Sequence, residues 1–113
     1  MPTTGETKDE YASDYENVIT TFYSDQIVNA IITLKVDTKE VDKIAEKIIT
    51  FENVEDVYLV TGEIDLILKT RFSTYKALKD FIVGKLGELE GIKDTTTMMI
   101  VTTFKESGMP KYE

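Results

Sequence analysis

Apolar positions along the chain follow two different periods. Residues 27–36 alternate, with Val28, Ala30, Ile32, Leu34 and Val36 on one face and Ile27, Asn29, Ile31, Thr33 and Lys35 on the other. A period of two in a β-branched run predicts a strand. The spacing then changes: Val41, Ile44, Ala45, Ile48 and Ile49 recur at helical intervals behind Asp37 and Thr38, and Asp37 with Glu40 has capping-box spacing. An amphipathic helix is expected there. Residues 54–61 and 64–72 are strand-like runs separated by Gly62-Glu63, the pattern of a tight hairpin. Ser73 or Thr74 caps a second helix with the stripe Leu78, Phe81, Ile82, Leu86 and Leu89. Gly84 and Gly87 interrupt it at about 1 kcal/mol each relative to Ala, so it is expected to bend or fray late. Gly91 ends it, residues 92–104 read as a long final strand, and residues 105–113 carry no strong pattern.

The order is β-α-β-β-α-β, and Leu34-Lys35 before the first helix is echoed by Leu68-Lys69 before the second. Two interleaved right-handed crossovers give a four-stranded antiparallel sheet of order 4-1-3-2 with both helices on one face, an α+β ferredoxin-like sandwich. Two helices shield only one side of such a sheet. Either choice of parity leaves apolar residues on the other: Ile27 and Ile31, or Val28, Ile32 and Leu34, from the first strand, and Ile67, or Ile64, Leu66 and Leu68, from the third. An exposed apolar face marks an interface, which predicts a dimer packed through sheet faces, or a larger ring. Folding of residues 15–26 back over that face is the alternative.

Length and charge narrow the organisation. With 113 residues the chain has room for one domain. Of its 21 acids six lie in residues 1–26 beside a single base, Lys8. Residues 1–14 are nearly free of aliphatics and are expected to lack fixed structure, while Tyr15, Val18, Ile19 and Phe22 fit a helical stripe. The expected division is an acidic segment 1–26, a ferredoxin-like domain 27–105 and a tail 106–113. A net charge of −8 disfavours unaided binding to nucleic acid or anionic membranes. No run is long and apolar enough for a membrane span or a secretory signal, so a cytoplasmic location is expected. The absence of Cys and His removes disulfides, thiolate and imidazole metal sites and the usual catalytic triads, and points to a binding module needing no cofactor rather than an enzyme.

At the hairpin the run Val57-Tyr58-Leu59-Val60-Thr61-Gly62-Glu63-Ile64-Asp65-Leu66-Ile67-Leu68-Lys69, followed later by Gly91-Ile92, Thr97, Ile100, Val101 and Lys105, resembles the ligand-binding domain of the Lrp/AsnC, or feast/famine, transcriptional regulators. The likeness covers residues 29–105; the family often has Tyr where Ile64 stands. Family members usually carry a helix-turn-helix module ahead of this domain, and an acidic segment of 26 residues cannot build one. The resemblance implies a stand-alone form: a homodimer, often assembled into rings of dimers, that holds an amino acid or similar effector between dimers and forms hetero-oligomers with full-length regulators without touching DNA itself.

Topology gathers Asp37, Gly62, Glu63, Asp65, Asp94, Thr95 and Thr97 at one end of the sheet. Gly62 would admit backbone amides to a ligand carboxylate, Asp65 and Glu63 would pair with an ammonium group, and Thr95 or Thr97 would hydrogen-bond. With Ile64 these six form the candidate ligand site. Each has a plainer competitor: Gly62 for positive φ, Asp65 as a turn acceptor, Glu63 as a solvated tip, the threonines for β-propensity. Three function classes stay open: a regulatory amino acid sensor, a divalent-cation module or purely oligomeric scaffold built on the same carboxylates, and a cofactor-free enzyme of the dimeric α/β-barrel type.

Overall fold

The computed structural model describes residues 27–111. The expectations for residues 1–26, including the helical stripe and its folding over the sheet, lie outside the described residues. Strand β1 (Val28–Val36) leads through a 3-10 turn (Thr38–Glu40) into α1 (Val41–Ile48), then β2 (Val54–Leu59) and β3 (Leu66–Phe72). Helix α2 (Tyr75–Asp80) continues as a π-helical segment (Phe81–Leu86), followed by β4 (Ile92–Met99) and a small hairpin of β5 (Lys105–Glu106) and β6 (Met109–Pro110). The four long strands form one antiparallel sheet ordered β2-β3-β1-β4. That is the order expected for the ferredoxin-like α+β sandwich.

The alternating residues of β1 do what their period demands. Val28, Ala30, Ile32, Leu34 and Val36 are buried together with Leu66, Leu68 and Phe72 of β3, and Ile44, Ile48, Leu78, Phe81 and Leu86 cover them from the helices. Phe81 joins the layers, tilted against Phe72 at 5.2 Å and edge-on to Phe51 at 5.6 Å between ring centroids. Thr70 is the fully buried polar side chain in this core; its hydroxyl donates to the Ala30 carbonyl at 2.8 Å. Ile49 falls outside the core at 63% exposure, because α1 stops at Ile48 before the stripe completes its last turn.

Caps and breaks follow the chemistry of single residues. Thr74 Oγ1 accepts from the Ala77 amide at 3.0 Å and starts α2. Asp37 accepts from the Lys39 amide at 3.1 Å, so it caps the 3-10 turn instead of α1, and Glu40 makes no capping bond in return. Where Gly84 and Gly87 weaken α2 the helix widens: the Gly87 amide donates to the Ile82 carbonyl five residues back, at 3.1 Å.

Strand ends depart from the sequence pattern. The connection between β2 and β3 is the six residues 60–65, closed by a 2.8 Å bond from the Val60 amide to the Asp65 carbonyl, and not a two-residue turn. β4 stops at Met99 rather than reaching Phe104, because β1 begins at Val28: once the Ile100 amide has donated to the Asn29 carbonyl at 2.9 Å, β1 offers no further ladder position among the described residues. The stretch expected to lack pattern instead turns through Ser107 and Gly108, both at positive φ, into the β5–β6 hairpin.

The face away from the helices is mixed. Cross-strand rows run Tyr58–Ile67–Thr33–Thr96 and Asp56–Lys69–Ile31–Met98. Tyr58, Ile67, Ile31 and Met98 thus make an apolar diagonal across all four strands, with Tyr58 54% and Met98 48% exposed. Charged residues frame it: Arg71 pairs with Glu55 at 3.6 Å, and Lys69 reaches Glu106 of the C-terminal hairpin at 3.2 Å. The Lys69 ammonium is held above its usual range, first by its hydrogen bond to Glu106 and then by that carboxylate's charge.

Candidate functional site

The 60–65 connection folds over the open face at the end where β1 finishes. Two bonds from Asp65 hold it there: its amide donates to the Leu34 carbonyl at 2.9 Å, and its Oδ2 accepts from the Val36 amide at 2.9 Å. β3 has ended by this point, so the carboxylate supplies the acceptor that a longer strand would have provided. Gly62 sits at φ +120°, a conformation L side chains rarely adopt, and a Cβ there would meet nothing within 4 Å. Its demand for glycine comes from the backbone, not from crowding. Lys35 Nζ donates to the Glu63 carbonyl at 3.1 Å and ties the loop tip to β1.

These bonds create a concavity of about 470 Å³ lined by Thr33, Lys35, Glu63, Ile64, Asp94 and Thr96. Lys35 and Asp94 are cross-strand partners, as are Thr33 and Thr96. One cation, two carboxylates, two hydroxyls and one apolar side chain therefore converge on one small space. That set complements a zwitterion: the ammonium of Lys35 for a carboxylate, Asp94 and Glu63 for an amine, the threonines for hydrogen bonds, Ile64 for an apolar substituent.

Of the residues singled out from the sequence, Glu63 and Ile64 line this concavity, while Gly62 and Asp65 shape the loop that bounds it. Thr95 and Thr97 are not brought to it. Thr95 lies with Ile82 and Leu86, and Thr97 with Tyr75 and Leu78, on the helix side of the sheet. Their neighbours Asp94 and Thr96, one residue out of phase, occupy the open face, as do Thr33 and Lys35 of β1. The β1 alternation already put Thr33 and Lys35 on the face opposite the buried set, and the Lys35–Asp94 register carries that parity to β4. Among the described residues no group of three or more acids is placed to hold a metal ion, and no helix is long and apolar enough to cross a membrane.

Fold and site together define a ferredoxin-like domain with a polar pocket beside its β2–β3 loop. Residues 29–110 match the family model described as the Lrp/AsnC ligand binding domain, and the chain belongs to that family. It is 31% identical over 91 residues to an uncharacterised helix-turn-helix-type transcriptional regulator of Pyrococcus furiosus, covering 80% of this chain but 61% of that protein. The crystal structure of FFRP-DM1 superposes with a TM-score of 0.64 at 32% identity, over 66% of this chain and 99% of that one. A Neisseria meningitidis transcriptional regulator, NMB0573, solved as a complex with L-Met, shares the fold, with a TM-score of 0.67 at 17% identity over 97% of this chain and 65% of that one.

Proposed function

We propose that this chain is a regulatory sensor domain that binds a free amino acid in the Lys35–Asp94 concavity, oligomerises, and modulates Lrp/AsnC-type regulators without binding DNA itself. The observation that carries it is the convergence of Lys35, Asp94 and Glu63 beside two threonines in a space of about 470 Å³, a charge pattern that fits an α-ammonium and an α-carboxylate at once. The fold relative solved with L-Met supports that ligand class. The exposed apolar diagonal on the same face supports pairing with a second copy through the sheet, which would close the half-open pocket. With residues of one protomer on one side only, effector binding and assembly are linked: a ligand that bridges subunits favours the assembled state in proportion to its differential affinity. Hetero-assembly with full-length regulators follows from the same surface.

Thermal-shift screening with the twenty amino acids, run beside light scattering, tests this reading. One amino acid should raise the melting temperature by several degrees and change the assembly size, and both effects should vanish in Lys35→Ala and Asp94→Ala. A flat response to all twenty refutes the sensor function.

A further inference from the structure

Two features stand at opposite ends of the open face. Where β1 finishes lies the Lys35–Asp94 concavity, in which two carboxylates, Asp94 and Glu63, accompany one ammonium. Toward the start of β1, the β5–β6 hairpin is held against the same face by the 3.2 Å bond from Lys69 to Glu106, because Lys69 lies between the buried Leu68 and Thr70 and points the other way. Lys69 stands opposite Ile31, which is four residues, about 13 Å, from Lys35 along β1. One surface thus carries a hollow and a ridge. Successive side chains of a strand point to opposite sides, so with Glu106 turned toward its own sheet, Lys105 is turned outward. Residues 105–111 carry Lys105, Lys111 and the already paired Glu106, which leaves the ridge positive where the hollow is negative.

We propose that the C-terminal hairpin of each copy seats over the concavity of a second copy, with Lys105 placed against Asp94 and Glu63. The inference rests on the sheet-face pairing proposed for the effector site and names the partner residue that completes it. A contact that packs one sheet face on its own copy has its two-fold axis in the plane between the sheets. The apolar diagonal of Tyr58, Ile67, Ile31 and Met98 can then match itself in two ways. An axis along the diagonal, which crosses the strands, lays each end of the face on the opposite end of the other copy, so ridge enters hollow. An axis perpendicular to it lays hollow on hollow and ridge on ridge. That second arrangement sets Asp94 and Glu63 against their own copies and makes two ridges collide between sheets that pack about 10 Å apart. Charge and shape both favour the first. In it, one carboxylate of the concavity faces the effector's ammonium and the other faces the partner's Lys105, so neither is left without a counter-charge.

Carbodiimide, which joins an amine to a carboxylate with no spacer, tests the pairing on the full wild-type chain without any effector. Isotopically light and heavy chains, mixed and left to exchange, should yield Lys105 peptides joined to Asp94 or Glu63 peptides of the other isotope. Sedimentation supplies the energetics. Lys105→Glu and Asp94→Lys should each weaken the dimer about tenfold, since the two-fold repeats the contact, and the double variant, which restores opposite charges, should recover most of the loss. Absence of light–heavy links at Lys105 overturns the proposal, as do links between chains that join Lys35 to Asp94 or Glu63, the mark of hollow on hollow. Single variants that dimerise like the wild type overturn it too, and so does a double variant no better than either single. None of these outcomes bears on the amino acid screen. A flat screen beside intact Lys105 links refutes the effector and supports the pairing, whereas a monomeric wild type overturns the pairing itself.

Discussion

Removal of the Asp65 carboxylate should loosen the loop that bounds the Lys35–Asp94 concavity and cost the whole domain measurable stability. Its Oδ2 accepts from the half-buried Val36 amide at 2.9 Å, where β3 no longer provides a backbone acceptor. A hydrogen bond to a charged group contributes about 1.5–3 kcal/mol, and an amide left unsatisfied adds a desolvation penalty. Partial exposure lets water repay some of that, so Asp65→Ala is expected to lose about 2 kcal/mol. For a domain of this size that corresponds to a melting-temperature fall of roughly 10 °C. Asp65→Asn keeps a carbonyl oxygen in the same place and should recover at least half of the loss. Urea unfolding supplies the free energies, with an unchanged slope showing that the unfolded state is not the cause. Amide exchange at Val36 should accelerate in the alanine variant ahead of global unfolding. If Asp65→Ala unfolds within 0.5 kcal/mol of the wild type, or if Asn is no better than Ala, the carboxylate does not anchor the loop.

Glycine positions offer a matched set. Ala at Gly62 meets open space and should cost only backbone strain, about 1–2 kcal/mol. Gly91→Ala, at φ +99° with a Cβ 3.0 Å from Ile44 Cδ1 and 3.1 Å from Glu40 Cβ, should cost more; urea melts that rank the two the other way would refute the packing. In the π-helical segment after α2, Gly84→Ala has free space and should stabilise by up to about 1 kcal/mol, whereas Gly87→Ala at its end runs into the Val83 carbonyl and should destabilise, read by the same melts. Phe81→Ala, removing the ring shared by Phe72 and Phe51, should cost about 3–5 kcal/mol by urea unfolding. The Lys69–Glu106 tether has a defined pH sign. Since Lys69 is raised in the folded chain, its contribution is complete below the ordinary lysine value of 10.5 and is lost as pH climbs through the higher folded value. A side-chain NMR titration should show the upward displacement shrink in Glu106→Gln, with the charges of Asp56 and Glu55 still acting in the same direction.

Strand pairing and core were legible in the sequence wherever one residue's neighbours along the chain decided its fate. The β1 alternation, the Thr74 cap and the glycine-weakened second helix each depend on local spacing, and each appears where that spacing put it. What failed were the lengths that a distant partner sets. β4 carries β-branched and aromatic residues as far as Phe104, yet it stops at Met99 because β1 begins only at Val28. The β2–β3 turn looked like two residues, yet Asp65 turns both its amide and its carboxylate toward β1, drawing residues 60–65 out of the ladder.

The pocket shows the same division between local and distant information. Glu63 and Ile64 belong to it and were visible as part of a hairpin motif, but Thr95 and Thr97 are on the other face. β4 is the strand whose own pattern does not fix its parity, since Thr95, Thr96 and Thr97 are identical and Met98 and Met99 equally apolar. Only its register against β1 decides. Once Lys35 is known to stand on the open face, its cross-strand partner Asp94 must stand there too, and Thr96 follows two residues later. A slip of one residue in that pairing would exchange Asp94 and Thr96 for Thr95 and Thr97 and leave the pocket with Glu63 as its remaining carboxylate. Which polar side chains line this concavity is therefore set by the β1–β4 register, which the chain secures by burying Ala30, Ile32 and Leu34 opposite Met99, Thr97 and Thr95 on the helix side.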